Sequence, residues 1–149
     1  MTNEVAVVAL DKRYKKLERD LANRTKKILL FLKQDGVKLE IYLVGSARIR
    51  KLNLQYRGED AVTNVLAYEA PKDFPRISPR LLGEIYLCPP YIEKRGEDIV
   101  SLLTHGILHL MGFDHVSVGD RMTMERLEEK LSLTLQGSKK SKFLKNVEK

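Results

Sequence analysis

From Val5 to Leu10 every position is apolar, a run of strand length suited to a sheet covered on both faces. Over residues 11–36 the positions Tyr14, Leu17, Leu21, Thr25, Ile28 and Leu32 recur at three and four, which predicts one long amphipathic helix stopped at Gly36. Residues 39–44 read as a second strand, and Ser46 as the cap of a short helix running to about Tyr56. Residues 62–68 and 84–88 read as two more strands. The stretch between them holds Pro71, Pro75 and Pro79 with little periodicity, the mark of a functional loop more than of a plain connector. Two helices close the pattern, over residues 97–111 and about 120–136, with Gly137 past the end. The order predicts an α+β domain on a single mixed four-stranded sheet, its helix 97–111 facing a cleft.

With 149 residues, 43 % hydrophobic and 32 % charged, the chain suits a single folded domain over residues 1–137. No apolar run approaches the roughly 18 residues of a membrane span, and no basic flank precedes Val5 to suggest a secretory signal. The lone Cys88 excludes an internal disulfide and fits a reducing, cytoplasmic setting with no disulfide-linked partner. The net charge of +7 raises the expectation of a polyanionic partner such as RNA. More than half of that excess sits at the end of the chain, where five lysines face Glu148, so residues 138–149 read as a flexible basic tail.

All three histidines fall within His105-Gly-Ile-Leu-His109-Leu-Met-Gly112-Phe-Asp114-His115. Positions i and i+4 of a helix differ by about 40° of rotation and one turn of rise, so His105 and His109 can share one cation. Gly112 permits a sharp exit from the helix, after which His115 can fold back as a third ligand. With His105 at zero, Ile99, Val100, Leu103, Ile107, Leu110 and Met111 fall between about 120° and 240°, an apolar face opposite the histidines. Asp98, Ser101 and Gly112 share the histidine side. Three neutral nitrogens with a fourth position open match catalytic rather than structural zinc, although nickel, copper and cobalt also accept imidazoles. The spacing equals that of the H-E-x-x-H-x-x-G-x-x-H peptidases, but Gly106 replaces their general-base glutamate, which disfavours peptide hydrolysis by that route. Asp114 either orients a ligand histidine or caps the turn after Gly112. Cys88 reads as a small buried hydrophobe, with a fourth-ligand role as the remote alternative.

The segment Ser101–His115 resembles the signature of the bacterial YbeY family of metal-dependent endoribonucleases and ribosomal RNA maturation factors. A second block, Leu52-Asn53-Leu-Gln-Tyr56-Arg57 followed by Asp60 and Thr63-Asn64-Val65-Leu66-Ala67-Tyr68, resembles it too, with Ala67-Tyr68 where Ser-Phe is usual. Gly83-Glu84-Ile85 is a weaker third block, where Gly-Asp-Ile is usual; the likeness covers roughly residues 5–135. The resemblance implies His105, His109 and His115 as ligands of a zinc or other divalent ion, and Arg57 as the catalytic, phosphate-binding arginine. By itself Arg57 reads as a surface charge or a partner for Glu59 or Asp60. The same resemblance implies a single-strand-specific endoribonuclease that matures ribosomal RNA, including the 3′ end of 16S rRNA, acts in ribosome quality control, and meets the small ribosomal subunit. Two other functions fit the residues: a metallopeptidase-like hydrolase, and a non-catalytic ribosome-assembly factor with a structural metal.

Overall fold

The computed structural model describes residues 2–71, 73, 77, 79–113 and 125–130. Four strands form one mixed sheet: β1 (Glu4–Ala9), β2 (Val37–Leu43), β3 (Val65–Glu69) and β4 (Arg80–Leu87), in the spatial order β1-β2-β4-β3. The first two pairings are parallel, and β3 closes the far edge antiparallel to β4. Helix α1 (Glu18–Phe31) links β1 to β2, α2 (Ser46–Arg57) follows β2, and α3 (Pro89–Lys94) and α4 (Ile99–Leu110) follow β4.

Side chains alternate across a pleated sheet, and β2 follows that rule: Val37, Leu39, Ile41 and Leu43 are buried while Lys38, Glu40 and Tyr42 are half-buried on the other face. The buried set, joined by Ile85 and Leu87 of β4, packs with Leu21, Ile28 and Leu29 of α1 and Leu103, Ile107 and Leu110 of α4. Each fully buried aliphatic side chain contributes about 1.5–3 kcal/mol, so this layer carries most of the apolar stabilisation. The opposite face is covered in part by α2, whose Ile49 and Leu52 meet Leu66, Tyr68, Tyr86 and Cys88. There Tyr42 stacks on Tyr86 (centroids 5.1 Å apart), Tyr86 meets Tyr68 edge-on (5.9 Å), and Tyr68 meets Tyr56 (4.8 Å). Gly83 pairs with Glu69, and a Cβ added there would overlap the Tyr68 carbonyl oxygen.

Several elements differ from the pattern-based expectation. The helix predicted from residue 11 begins as a 3₁₀ segment, Lys12–Leu17, with the Asp11 side chain accepting from the Arg13 amide. It stops well short of Gly36. The Lys33 amide bonds to Leu30 O and the Gln34 amide to Leu29 O, and Lys33 itself takes φ +57°, the left-handed position that glycine usually fills. Gly36 instead turns the chain into β2. Ser46 is the first residue of α2, not its cap; Gly45 holds the cap position without a side-chain bond. β1 lies at the sheet's edge with Val8 and Leu10 more than two-fifths exposed, so it is not covered on both faces. The Pro89-Pro90 pair opens α3 rather than merely ending a strand, because proline's missing amide is no loss in a first helical turn. Residues 125–130 are helical, and the rest of the predicted 120–136 helix and the basic tail lie outside the described residues.

Candidate metal and phosphate site

Helix α4 is set by its two ends. Asp98 caps the start, its carboxylate accepting from the Ser101 amide (3.3 Å) and the Ser101 hydroxyl (2.8 Å). At the other end the Gly112 amide bonds to His109 O and the Phe113 amide to Leu108 O, with Gly112 at φ +99°. This paired closure demands a left-handed residue, and it is the sharp exit expected at Gly112. Upstream, Asn64 ties the start of β3 to the approach to α4: its amide nitrogen donates to Glu97 Oε1 at 3.1 Å while its oxygen accepts from the Val65 amide at 2.7 Å. Asn64 thereby organises the turn that opens β3.

The helix turns its apolar side to β3 and β4. Ile99, Val100, Leu103, Ile107 and Leu110 are buried as expected, and the buried arc also takes in Thr104, Gly106 and Leu108. Gly106 explains the wider arc. It sits against Ile85, and a Cβ in its place would lie 3.2 Å from Ile85 Cδ1, so the helix rests so close to the sheet that a side chain here would crowd Ile85. The position where peptidases keep a catalytic glutamate therefore faces the core in this chain. Ser101 and His109 are exposed and His105 is half-buried, so both histidines stand on the side turned away from the sheet.

Glu128, from the helical segment 125–130, brings a carboxylate oxygen to 3.5 Å from His105 Nδ1. A carboxylate at Nδ1 favours the tautomer that leaves Nε2 free to bind a cation. Sequence reasoning missed this residue, since nothing in the local pattern links positions 105 and 128. The donors present, two imidazoles one helical turn apart with a carboxylate behind one of them, fit a divalent cation of the zinc type. His115 and Asp114 lie outside the described residues, and among those described no group of three or more candidate ligands converges. Cys88 is fully buried with Val44, Ile49 and Leu66, on the face opposite α4, and burial pushes its thiol pKa up. It packs as a hydrophobe, away from the histidines.

Arg57 is the last residue of α2, followed by Gly58 in the left-handed conformation. Asn53, almost fully buried, holds this corner: its side-chain amide donates to Ala61 O at 3.0 Å, and its own carbonyl accepts from the Glu59 amide. Of the two carboxylates considered as partners for Arg57, Asp60 is taken by Arg50 through Nε (2.7 Å) and Nη2 (3.2 Å). Arg57 keeps a long 3.6 Å contact to Glu59 and a half-exposed guanidinium. It also lies near Tyr68 of β3: burial chiefly raises that phenol's pKa, and the Arg57 charge pulls the other way. Arg57 thus flanks the edge strand β3 from one face of the sheet, and α4 packs on the same strand from the other.

The family model described as endoribonuclease YbeY matches residues 1–136. Among curated relatives, an endoribonuclease YbeY of Nitrosomonas eutropha is 40 % identical over 102 residues, 63 % of this chain and 69 % of that protein. One from Persephonella marina is 38 % identical over 60 % of this chain and 63 % of its own length, and one from Ruthia magnifica 32 % over 76 % and 83 %. The solution structure of TM1509 from Thermotoga maritima shares the fold with a TM-score of 0.58 at 24 % identity, covering 92 % of this chain and 95 % of that one.

Proposed function

The chain belongs to the endoribonuclease YbeY family, and from that premise we propose that it cleaves single-stranded RNA at a site walled by α4 on one side and Arg57 on the other. The observation that carries this reading is the placement of both walls on one edge strand, β3, with Arg57 left unclaimed by Asp60. His105, His109 and His115 would hold one divalent ion, zinc by the donor chemistry. Bound there, such an ion supplies Lewis acidity toward a phosphoryl oxygen. The chain's own residues do the rest. Arg57 offers a planar fork of donors matched to phosphate and offsets charge that develops on it. Glu128 holds the His105 ring, a role Asp114 would share toward a neighbouring histidine.

Ribosomal RNA, including the 3′ end of 16S rRNA, is the substrate in this reading. The small ribosomal subunit is the partner, ribosome maturation and quality control the setting, and the cytoplasm the compartment, in keeping with a lone buried cysteine. Among the described residues no helix is long and apolar enough to cross a membrane. The peptidase reading is weakened by Gly106, which carries no carboxylate and faces the buried Ile85. An assembly factor with a purely structural metal is separated by experiment.

The test is cleavage of an unstructured RNA by the purified protein, with and without chelator, beside His109→Ala and Arg57→Ala. Loss of cutting in all three altered samples is expected, at unchanged far-UV circular dichroism. Equal cutting throughout would trace the activity to a contaminant and refute the proposal. If chelation lowers the melting temperature sharply while processing in cells persists, the metal is structural.

A further inference from the structure

Beside Arg57 stands Tyr56, with 59 % of its surface in solvent. An exposed tyrosine alone means little, but this one is not loose. Its ring rests on Tyr68 at 4.8 Å and 45°, Tyr68 on Tyr86, and Tyr86 on Tyr42, so four rings run from the middle of the sheet to its edge. The inner members are anchored further: the Tyr86 hydroxyl donates to Glu84 at 2.7 Å and the Tyr42 hydroxyl to Glu40 at 3.4 Å. Tyr56 is the row's last ring, fixed from below and open above. A flat, rigid aromatic face beside a half-exposed guanidinium repeats the alternation of base and phosphate along a single strand.

We propose that Tyr56 is the stacking platform for one unpaired nucleobase, whose adjoining phosphate lies at Arg57. The assignment rests on reading the chain as an endoribonuclease and goes further: it names a base-binding subsite and a physical reason for single-strand preference. A base inside a duplex has both faces covered by its neighbours and cannot lie on this ring. Stacking of this kind tolerates all four bases, so the subsite selects strandedness more than sequence.

The chain contains no tryptophan, so Tyr56→Trp introduces a single indole at the site. The probe is a fluorescein-labelled, unstructured 12-nucleotide RNA of fully 2′-O-methylated sugars, compared with a strand of the same length abasic at every position and with a blunt duplex. Anisotropy of the label reports binding, and indole emission reports stacking. The expected result is quenching by the single strand, lost for the abasic strand and absent with the duplex. On cleavable RNA, Tyr56→Ala should raise KM about tenfold or more at nearly constant kcat, the usual scale for a lost base stack, while Tyr56→Phe restores wild-type KM. Binding of the RNA without quenching, or an unchanged KM in Tyr56→Ala, overturns the stacking subsite and leaves the nuclease reading standing. Failure of the wild type to bind or cut the single strand overturns both.

Discussion

Replacing Gly106 by glutamate would recreate, on paper, the one residue that separates α4 from a peptidase helix. The structure makes it a stability experiment. A Cβ at this position lies 3.2 Å from Ile85 Cδ1 and 3.5 Å from Cγ2, and Ile85 is fully buried. Leaving glycine in mid-helix gains up to about 1 kcal/mol of helix propensity. Against that, forcing extra atoms into a packed core costs about 1–3 kcal/mol. The carboxylate adds more: it either stays charged without a partner, at a cost of several kcal/mol, or takes a proton at about 1.4 kcal/mol per unit of pKa shift. The net expectation for Gly106→Glu is a loss of roughly 3 kcal/mol or more, about 6–12 °C in Tm for a domain of this size. Gly106→Ala should change stability by less than about 1 kcal/mol, since its propensity gain and its crowding oppose each other. Urea unfolding followed by far-UV circular dichroism measures both, with saturating divalent cation and again with chelator so that metal linkage does not mask the effect. A Gly106→Glu protein with the wild-type midpoint would refute the packing argument, and one that hydrolysed peptides would refute the reading of this helix.

Lys33→Gly should stabilise the fold by about 1 kcal/mol, because a lysine now holds the left-handed position that ends α1; a higher urea midpoint at unchanged slope checks it. Asn53→Ala removes the bond to Ala61 O and should cost about 1–2 kcal/mol. It should also slow RNA cleavage with Arg57 intact, measured as turnover below the unfolding transition. Tyr42, Tyr68 and Tyr86 all have phenol pKa values raised chiefly by burial. Groups raised in the folded state contribute stability that is whole below their unfolded value near 10 and is lost as pH rises beyond it. Absorbance at 295 nm should therefore show these phenols ionising above pH 10 together with alkaline unfolding, and Tyr86→Phe should shrink that step.

Much of this molecule was legible in its sequence, for identifiable reasons. Strands betray themselves by apolar runs, and the histidine face of α4 by the helical period, so the four-stranded sheet and the orientation of His105 and His109 followed from spacing alone. Gly112 was readable because a glycine filled the left-handed position at the end of α4; the equivalent place in α1 holds Lys33, and the helix end was accordingly put at Gly36. α3 was hidden because six residues beginning with two prolines carry too little periodicity to register. The breadth of α4's buried face was missed because Gly106 has no side chain to announce that it faces Ile85. Glu128 beside His105, and the allocation of Asp60 to Arg50 instead of Arg57, depend on contacts across distant or competing positions. Local pattern carries no trace of those.

The close approach at Gly83 has a further consequence. With the Tyr68 carbonyl occupying the space of its absent side chain, only this residue can stand opposite Glu69. A slip of the β3–β4 pairing by one place would bring Leu82 or Glu84 opposite Glu69 in place of glycine and would turn Tyr68 over to the α4 side. A side chain at position 83 would therefore disturb the one pairing observed here, in which Tyr68 lies on the α2 side of the sheet and Val65 and Ala67 on the α4 side.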